Sequence, residues 1–182
     1  VAAQVGKEIA ADVLAIKDEM IAHLRAQLSN WVGRAAEVFV EKVVKRCFEG
    51  QTVEGEVYFH RPGPVRLSRF TRVHTVYAHP PGATRTYQVD LYGEPETGEE
   101  PPWVVEVKNW ERAVGRPEVE RFLEAAENLR ADRGHGEVVC WFYARSGFSG
   151  PAEALLRERE VLHTDQAGLV RLLQDLQVLD RW

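Results

Sequence analysis

Cysteine is scarce in this chain: Cys47 and Cys140 are the two present. Neither belongs to a C-x-x-C pair, so spacing gives no zinc site or redox motif. Both sit among apolar neighbours and read as buried free thiols of a reducing, cytoplasmic compartment. No apolar run approaches the ~20 residues of a membrane span. The N-terminus lacks the charged, apolar and small-residue order of a signal peptide. It opens on Val1 rather than Met, so the chain reads as a piece of a longer parent, whose further domains would be partners. Lysine is rare: Lys7, Lys17, Lys42, Lys45 and Lys108 are the only lysines among 23 basic residues. Net positive charge is missing too. At a formal −5 the molecule as a whole is no polybasic nucleic-acid binder, and only a local cluster could argue for that partner. There is no internal repeat and no low-complexity tract. Acids are absent from Val57 to Val89, where Arg61, Arg66, Arg69, Arg72 and Arg85 alternate with aromatics.

What is present suits one domain with an appendage. The length is 182 residues, 45% of them hydrophobic, enough for a sizeable core. Residues 3–29 carry Ile9, Val13, Ile16, Met20, Leu24 and Leu28 at helical spacing, and Trp31 extends the stripe. Residues 1–30 are therefore read as an amphipathic arm or dimerisation helix, and 31–182 as the main domain. The alternative is a helix folded back on its own domain. A second helix runs to about Phe48. Three β-like segments follow: "VEGEVYFH", "VRLSRFTRVHTVYA" and "TRTYQVDLY". Trp103–Val107 is a further strand, Pro117 to about Arg130 a helix, and Glu137–Ala144 a buried strand. Ser149 is placed to cap a helix including Ala152–Arg159. After a short strand at Val161-Leu162, Thr164 or Asp165 is placed to cap a last helix. The unit from 103 to 144 implies a parallel pair with a right-handed crossover.

The chemistry concentrates in two strands. In "TYQVDLY", alternation puts Tyr87, Val89 and Leu91 on one face and Gln88 and Asp90 on the other. In "WVVEVKN", Trp103, Val105 and Val107 share a face, with Val104, Glu106 and Lys108 opposite. The acidic loop 94–100 can return the chain antiparallel, setting the strands about 5 Å apart. Two carboxylates at that distance repel unless a cation sits between them. Mg²⁺ accepts a few carboxylate oxygens and completes its shell with waters and phosphate. Lys108, about 6.6 Å along the strand from Glu106, is placed to orient or deprotonate a water, or to steady charge on phosphorus.

Asp90 followed by Glu106-Val107-Lys108 resembles the signature of the PD-(D/E)XK, or restriction-endonuclease-like, nucleases. Val89 stands where the family name has Pro. The element order resembles that family's αβββαβ core: a mixed central sheet flanked by helices, here with a long N-terminal helix added. "GRAAEVFVEKVV" and "YARSGFSGPAEALLRERE" are similar to segments of the Mrr-like and Holliday-junction-resolvase-like branches. In those branches a glycine often precedes the next short strand, and Glu160 stands in its place. The resemblance implies a metal-dependent nuclease hydrolysing phosphodiester bonds of DNA, in restriction, defence or repair. It implies Asp90, Glu106 and Lys108 as catalytic residues. It implies Mg²⁺, with Mn²⁺ as substitute, held by Asp90, Glu106, the Val107 carbonyl and Glu37. Arg66, Arg69, Arg72, Arg85 and Gln88 are the candidates for touching DNA. A homodimer through the N-terminal helix is expected, because duplex cutting commonly needs two sites.

Other readings remain at this stage. Asp90, Glu106 and Lys108 also suit a solvated strand face with a cross-strand ion pair. Glu37 suits a solvated helix surface, and the arginines suit a charged, protected sheet edge. A catalytically idle nuclease fold that binds nucleic acid or scaffolds an assembly is the alternative function. His60, His74 and His79 lack ligand spacing and are read as surface or turn residues.

Overall fold

The computed structural model describes residues 19–21, 23, 32–79 and 84–177. The chain divides into two units, Val1–Ala35 and Ala36–Trp182. In the first, residues 19–21 and 23 are helical and Met20 is 60% exposed. The rest of the expected helix over 3–29 lies outside the described residues.

The second unit contains every described buried hydrophobic residue. Helix α1 (32–47) ends at Phe48, and Val40, Val43, Val44 and Cys47 form its buried stripe. Next come β1 (Thr52–Glu54), α2 (Gly55–Phe59) and β2 (Pro64–Arg66). The main strands and helices then alternate: β3 (Phe70–Ala78), β4 (Tyr87–Pro95), β5 (Trp103–Lys108), α3 (Arg116–Asp132), β6 (Val139–Ala144), α4 (Gly150–Glu158), β7 (Leu162–Thr164) and α5 (Gln166–Asp175). The five-stranded sheet has the order β3-β4-β5-β6-β7. The β3–β4 and β4–β5 pairs are antiparallel, and β5–β6 and β6–β7 parallel. This is the expected mixed α/β core, α1-β3-β4-β5-α3-β6, with β1, α2 and β2 inserted after α1.

The insertion corrects one expectation. "VEGEVYFH" is not a single strand but β1 followed by α2. A Cβ on Gly55 would lie 2.6 Å from both the Arg61 and Gly63 carbonyl oxygens, so only glycine permits this tight return. The aromatic residues that suggested a strand are instead docking groups. Tyr58 Oη donates to Asp175 Oδ2 at 2.8 Å, and Phe59 packs edge-on to Trp141. Thr164 Oγ1 donates to the Tyr58 carbonyl, leaving Asp165 to cap α5 by accepting from Gly168 N at 2.8 Å. Ser149 holds the N-cap position of α4 but makes no side-chain cap hydrogen bond.

Both faces of the sheet are covered. On one, Trp103, Val105, Val107, Trp141 and Leu91 meet α1, α2 and α5. On the other, Val89, Tyr92, Val104, Phe142 and Ala144 meet α3 and α4. Val89 and Leu91 thus enter opposite cores, where strict alternation put them together. The register explains it. Val76 pairs with Val89 and His74 with Tyr92, so Asp90 and Leu91 together oppose the single residue Thr75. This β-bulge shifts the phase of β4 at Asp90.

Cys47 is buried and Cys140 half-buried, both as free thiols, and burial pushes the Cys140 thiol up to about 12. Of the histidines expected at the surface, His74 is half-buried against the Tyr92 ring. No helix among the described residues is long and apolar enough to cross a membrane.

Candidate active site

The parallel strands β5, β6 and β7 end side by side at Lys108, Ala144 and Thr164. At that edge β4 and β5 part. Their ladder joins Gly93 to Trp103, Tyr92 to Val104 and Leu91 to Val105, and goes no further. Past it, the Val107 N–H donates to Asp90 Oδ2 at 2.9 Å. The bulge turns a carboxylate into the place of a main-chain acceptor. One Asp90 oxygen is thereby fixed, and the side chain is held at 8% exposure.

Glu106 projects from β5 beside this carboxylate. Lys108 Nζ donates to Glu106 Oε1 and lies 3.7 Å from Asp90 Oδ2. The three side chains therefore converge on one point. Burial raises the Glu106 pKa most, the negative charge of Asp90 adds to it, and Lys108 opposes both; the result is about 7. Burial also opposes charging of Lys108, but Glu106 and Asp90 outweigh it and hold the ammonium above the ordinary lysine value. Glu37, half-buried on α1, adds its negative field to both groups.

A cavity of about 330 Å³ opens over these groups, lined among others by Gln88, Glu106, Lys108, Trp110, Glu118 and Arg121. Trp110 lies between two cations, with Lys108 Nζ at 5.9 Å and Arg112 Cζ at 4.2 Å from its ring centroid. Glu118 holds Arg112 at 3.2 Å and Arg121 at 3.7 Å. Arg112 and Arg121 were not singled out by spacing. The signal available was their position just after the E-x-K strand and on the first turns of α3.

The residue match to a restriction endonuclease family model, of the Mrr catalytic type, spans residues 74–173. The chain belongs to this restriction endonuclease family. The matched span holds Asp90, Glu106, Val107, Lys108, Arg85 and Gln88, while Glu37, Arg66, Arg69 and Arg72 fall before it. No curated protein and no solved structure matches the chain. Asp90 on β4 and Glu106 on β5 stand on the second and third strands of the core.

The expected DNA-contacting residues divide by location. Gln88 lines the cavity. Arg85 stands at the start of β4, ion-paired to Glu124 on α3 and stacked on the Tyr87 ring at 4.9 Å. Arg66, Arg69 and Arg72 lie at the opposite end of the sheet. Arg72 faces Glu94 in the β3–β4 register, four residues along β4 from Asp90 and so about 13 Å away. Arg66 Nε is 2.8 Å from Glu100, and Arg69 donates to the Glu49 carbonyl at 3.5 Å.

Members of this superfamily generally use divalent cations, which gives the donor set a fit to answer. Among the described residues no three His, Cys, Asp or Glu side chains lie close enough to hold an ion unaided. Two converging carboxylates still suit Mg²⁺, which takes one or two and fills its shell with water and phosphate oxygen. The upward push on Glu106 also fits, since a cation there would favour the charged carboxylate against the burial and the Asp90 repulsion that raise it.

Proposed function

We propose that this nuclease-family domain is a Mg²⁺-dependent deoxyribonuclease that hydrolyses phosphodiester bonds at the parted ends of β4 and β5. The observation carrying this reading is the convergence of Asp90, Glu106 and Lys108, with one ammonium reaching both carboxylates. A buried pair of like charges is costly to fold, and an idle scaffold has no physical reason to keep it.

Asp90 and Glu106, with the Val107 carbonyl, would hold the metal, and Glu37 adds negative field from α1. The bound cation supplies Lewis-acid polarisation of the phosphoryl oxygen and a more acidic water. Asp90 is oriented before substrate arrives, because the Val107 N–H holds its Oδ2. Lys108 is an ammonium at neutral pH, held there by two carboxylates. As a cation it donates a hydrogen bond and steadies charge on the phosphoryl oxygens, and it orients the attacking water. Gln88 and Arg85 border the entry from β4. Mn²⁺ would substitute through the same oxygen donors.

Residues 1–30 form, on this reading, a separate arm that brings two copies together so that each strand of a duplex meets a site. Its support is that the unit from Ala36 onward has hydrophobic cores of its own on both faces of the sheet.

The test is incubation of the full chain with supercoiled plasmid, linear duplex and single-stranded DNA, each with Mg²⁺, Mn²⁺ or EDTA. Metal-dependent cleavage that vanishes in EDTA is expected. Intact substrate under all conditions, with a folded protein, would point to the idle-scaffold alternative.

A further inference from the structure

At the active-site edge of the sheet most guanidinium groups are already engaged. Arg112 and Arg121 share Glu118, Arg116 is held by Glu120 at 2.8 Å, and Arg85 by Glu124. Arg145 and Arg171 differ: both are exposed, and neither forms an ion pair with a described residue. They line one groove of about 720 Å³ together with Ser146, Gln166 and Gln174. The groove runs between the turn after β6 and the exposed side of α5.

The floor of this groove is tied to the reactive strand. Ala144, the residue before Arg145, pairs with Lys108. The Arg145 N–H donates to the Lys108 carbonyl at 2.9 Å, and Ser146 Oγ donates to the Trp110 carbonyl at 2.7 Å. Arg145 therefore starts about one strand spacing, roughly 5 Å, from the end of β5. The acid in the groove, Asp165, is turned to the α5 cap through Gly168 N. What the described residues offer is two guanidiniums outside any ion pair among them and two amides along an open channel. That donor set matches a run of phosphodiester oxygens, and it carries no base-reading geometry.

We propose that this groove, which opens on the α5 side of the sheet edge while the Glu106 cavity opens on the α3 side, is a phosphate-backbone track, with Arg145 and Arg171 holding the substrate strand where it passes over the ends of β5 and β6. The identity of the ligand rests on the nuclease reading above. In a protein of formal net charge −5, an exposed basic pair at this edge also decides where a polyanion lands.

The test uses the full chain carrying Asp90→Ala, so that binding is read without cleavage. Fluorescence anisotropy with a labelled DNA duplex, a single strand and an RNA duplex is followed against KCl. R145E/R171E should weaken binding at 100 mM salt by about tenfold or more and reduce the log–log salt slope by about two. The charge-matched R157E/R159E, at the end of α4 and held by Glu153 and Glu158, should change affinity less than about threefold, as exposed paired charges do. In the cleavage-competent chain the double reversal should raise KM with kcat nearly unchanged. Equal binding by R145E/R171E and R157E/R159E overturns the track while leaving the nuclease reading standing. Absence of binding to any of the three nucleic acids by the D90A chain overturns both. Circular dichroism of each variant excludes unfolding as the cause, and R145A/R171A, which only removes charge, must show the same direction with a smaller change.

Discussion

The two ends of the five-stranded sheet are built from the same residue types and behave in opposite ways. At the end of β5, two carboxylates face one ammonium, and Glu106 and Lys108 border a cavity. At the start of β3, Arg66 meets Glu100, Arg69 meets the Glu49 carbonyl and Arg72 faces Glu94 in solvent. The far end is balanced nearly one for one, and exposed pairs of that kind contribute little. The near end is unbalanced and dehydrated, so a charge added there is strongly felt. Function follows the imbalance rather than the number of charges.

The sharpest way to break this contrast is to empty the near end. Asp90→Ala, Glu106→Ala and Lys108→Ala should each lower plasmid cleavage by about a thousandfold or more, and any two together should lose little beyond one. Substantial nicking by folded D90A protein would remove the assignment.

Acidity probes the same end more gently. Glu106 of the metal-free protein takes up a proton near pH 7, so below that pH the proton competes with the cation. Mg²⁺ affinity, measured by calorimetry, should fall by about tenfold per pH unit under pH 7. Stability moves the other way. A carboxyl held above its ordinary 4.5 favours the fold while protonated, and that contribution is lost as pH rises through 7. Without metal, E106Q should therefore melt higher than the unsubstituted chain at pH 8, by roughly 2–5 °C, and no higher at pH 5. A pH-independent Mg²⁺ affinity would contradict the shared cause.

Removing residues 1–30 is expected to halve the mass seen by sedimentation while cleavage-site residues stay folded. A monomeric intact chain would discard the dimer arm, and an unfolded fragment would assign the helix to the core. At the far end, charge reversal at Arg66, Arg69 and Arg72 together should change DNA affinity by less than about threefold, the range of exposed paired charges. A larger loss than R145E/R171E produces would reverse the ranking of the two ends.

Much of this was legible in the sequence, and the gaps have physical causes. β4 and β5 announced themselves by alternation, and Glu106 and Lys108 by sharing a parity along one strand. The bulge did not, because it depends on which residues of β3 lie opposite, and no single strand records that. The acid-free stretch from Val57 to Val89 looked like a basic surface in one dimension. In three, Glu94 on β4 stands opposite Arg72 and Glu100 in the loop after it pairs with Arg66, which suits a charged, protected edge for a β3 that borders the sheet. Trp110 was legible as an aromatic after the E-x-K, but its place between Lys108 and Arg112 needs the turn into α3. Glu160 was readable as a departure from glycine, and the backbone agrees: its φ is +54°. Glu160→Gly should raise stability by about 1 kcal/mol in urea unfolding, the smallest effect expected here, by releasing a left-handed conformation from its side chain.

The slipped residue at Asp90 makes β4 a strand with two reading frames. Beyond the slip, Tyr92 and Gly93 follow the frame of the sheet and hydrogen-bond to β5. Before it, Val89 keeps its core contact in a different frame. Asp90 belongs to neither, which is how a carboxylate comes to bond a neighbouring strand's main chain. Grafting this chemistry onto another sheet would therefore require transplanting an insertion, not three side chains. Deleting one residue at the slip would merge the two frames into a regular ladder with no place in it for the acid.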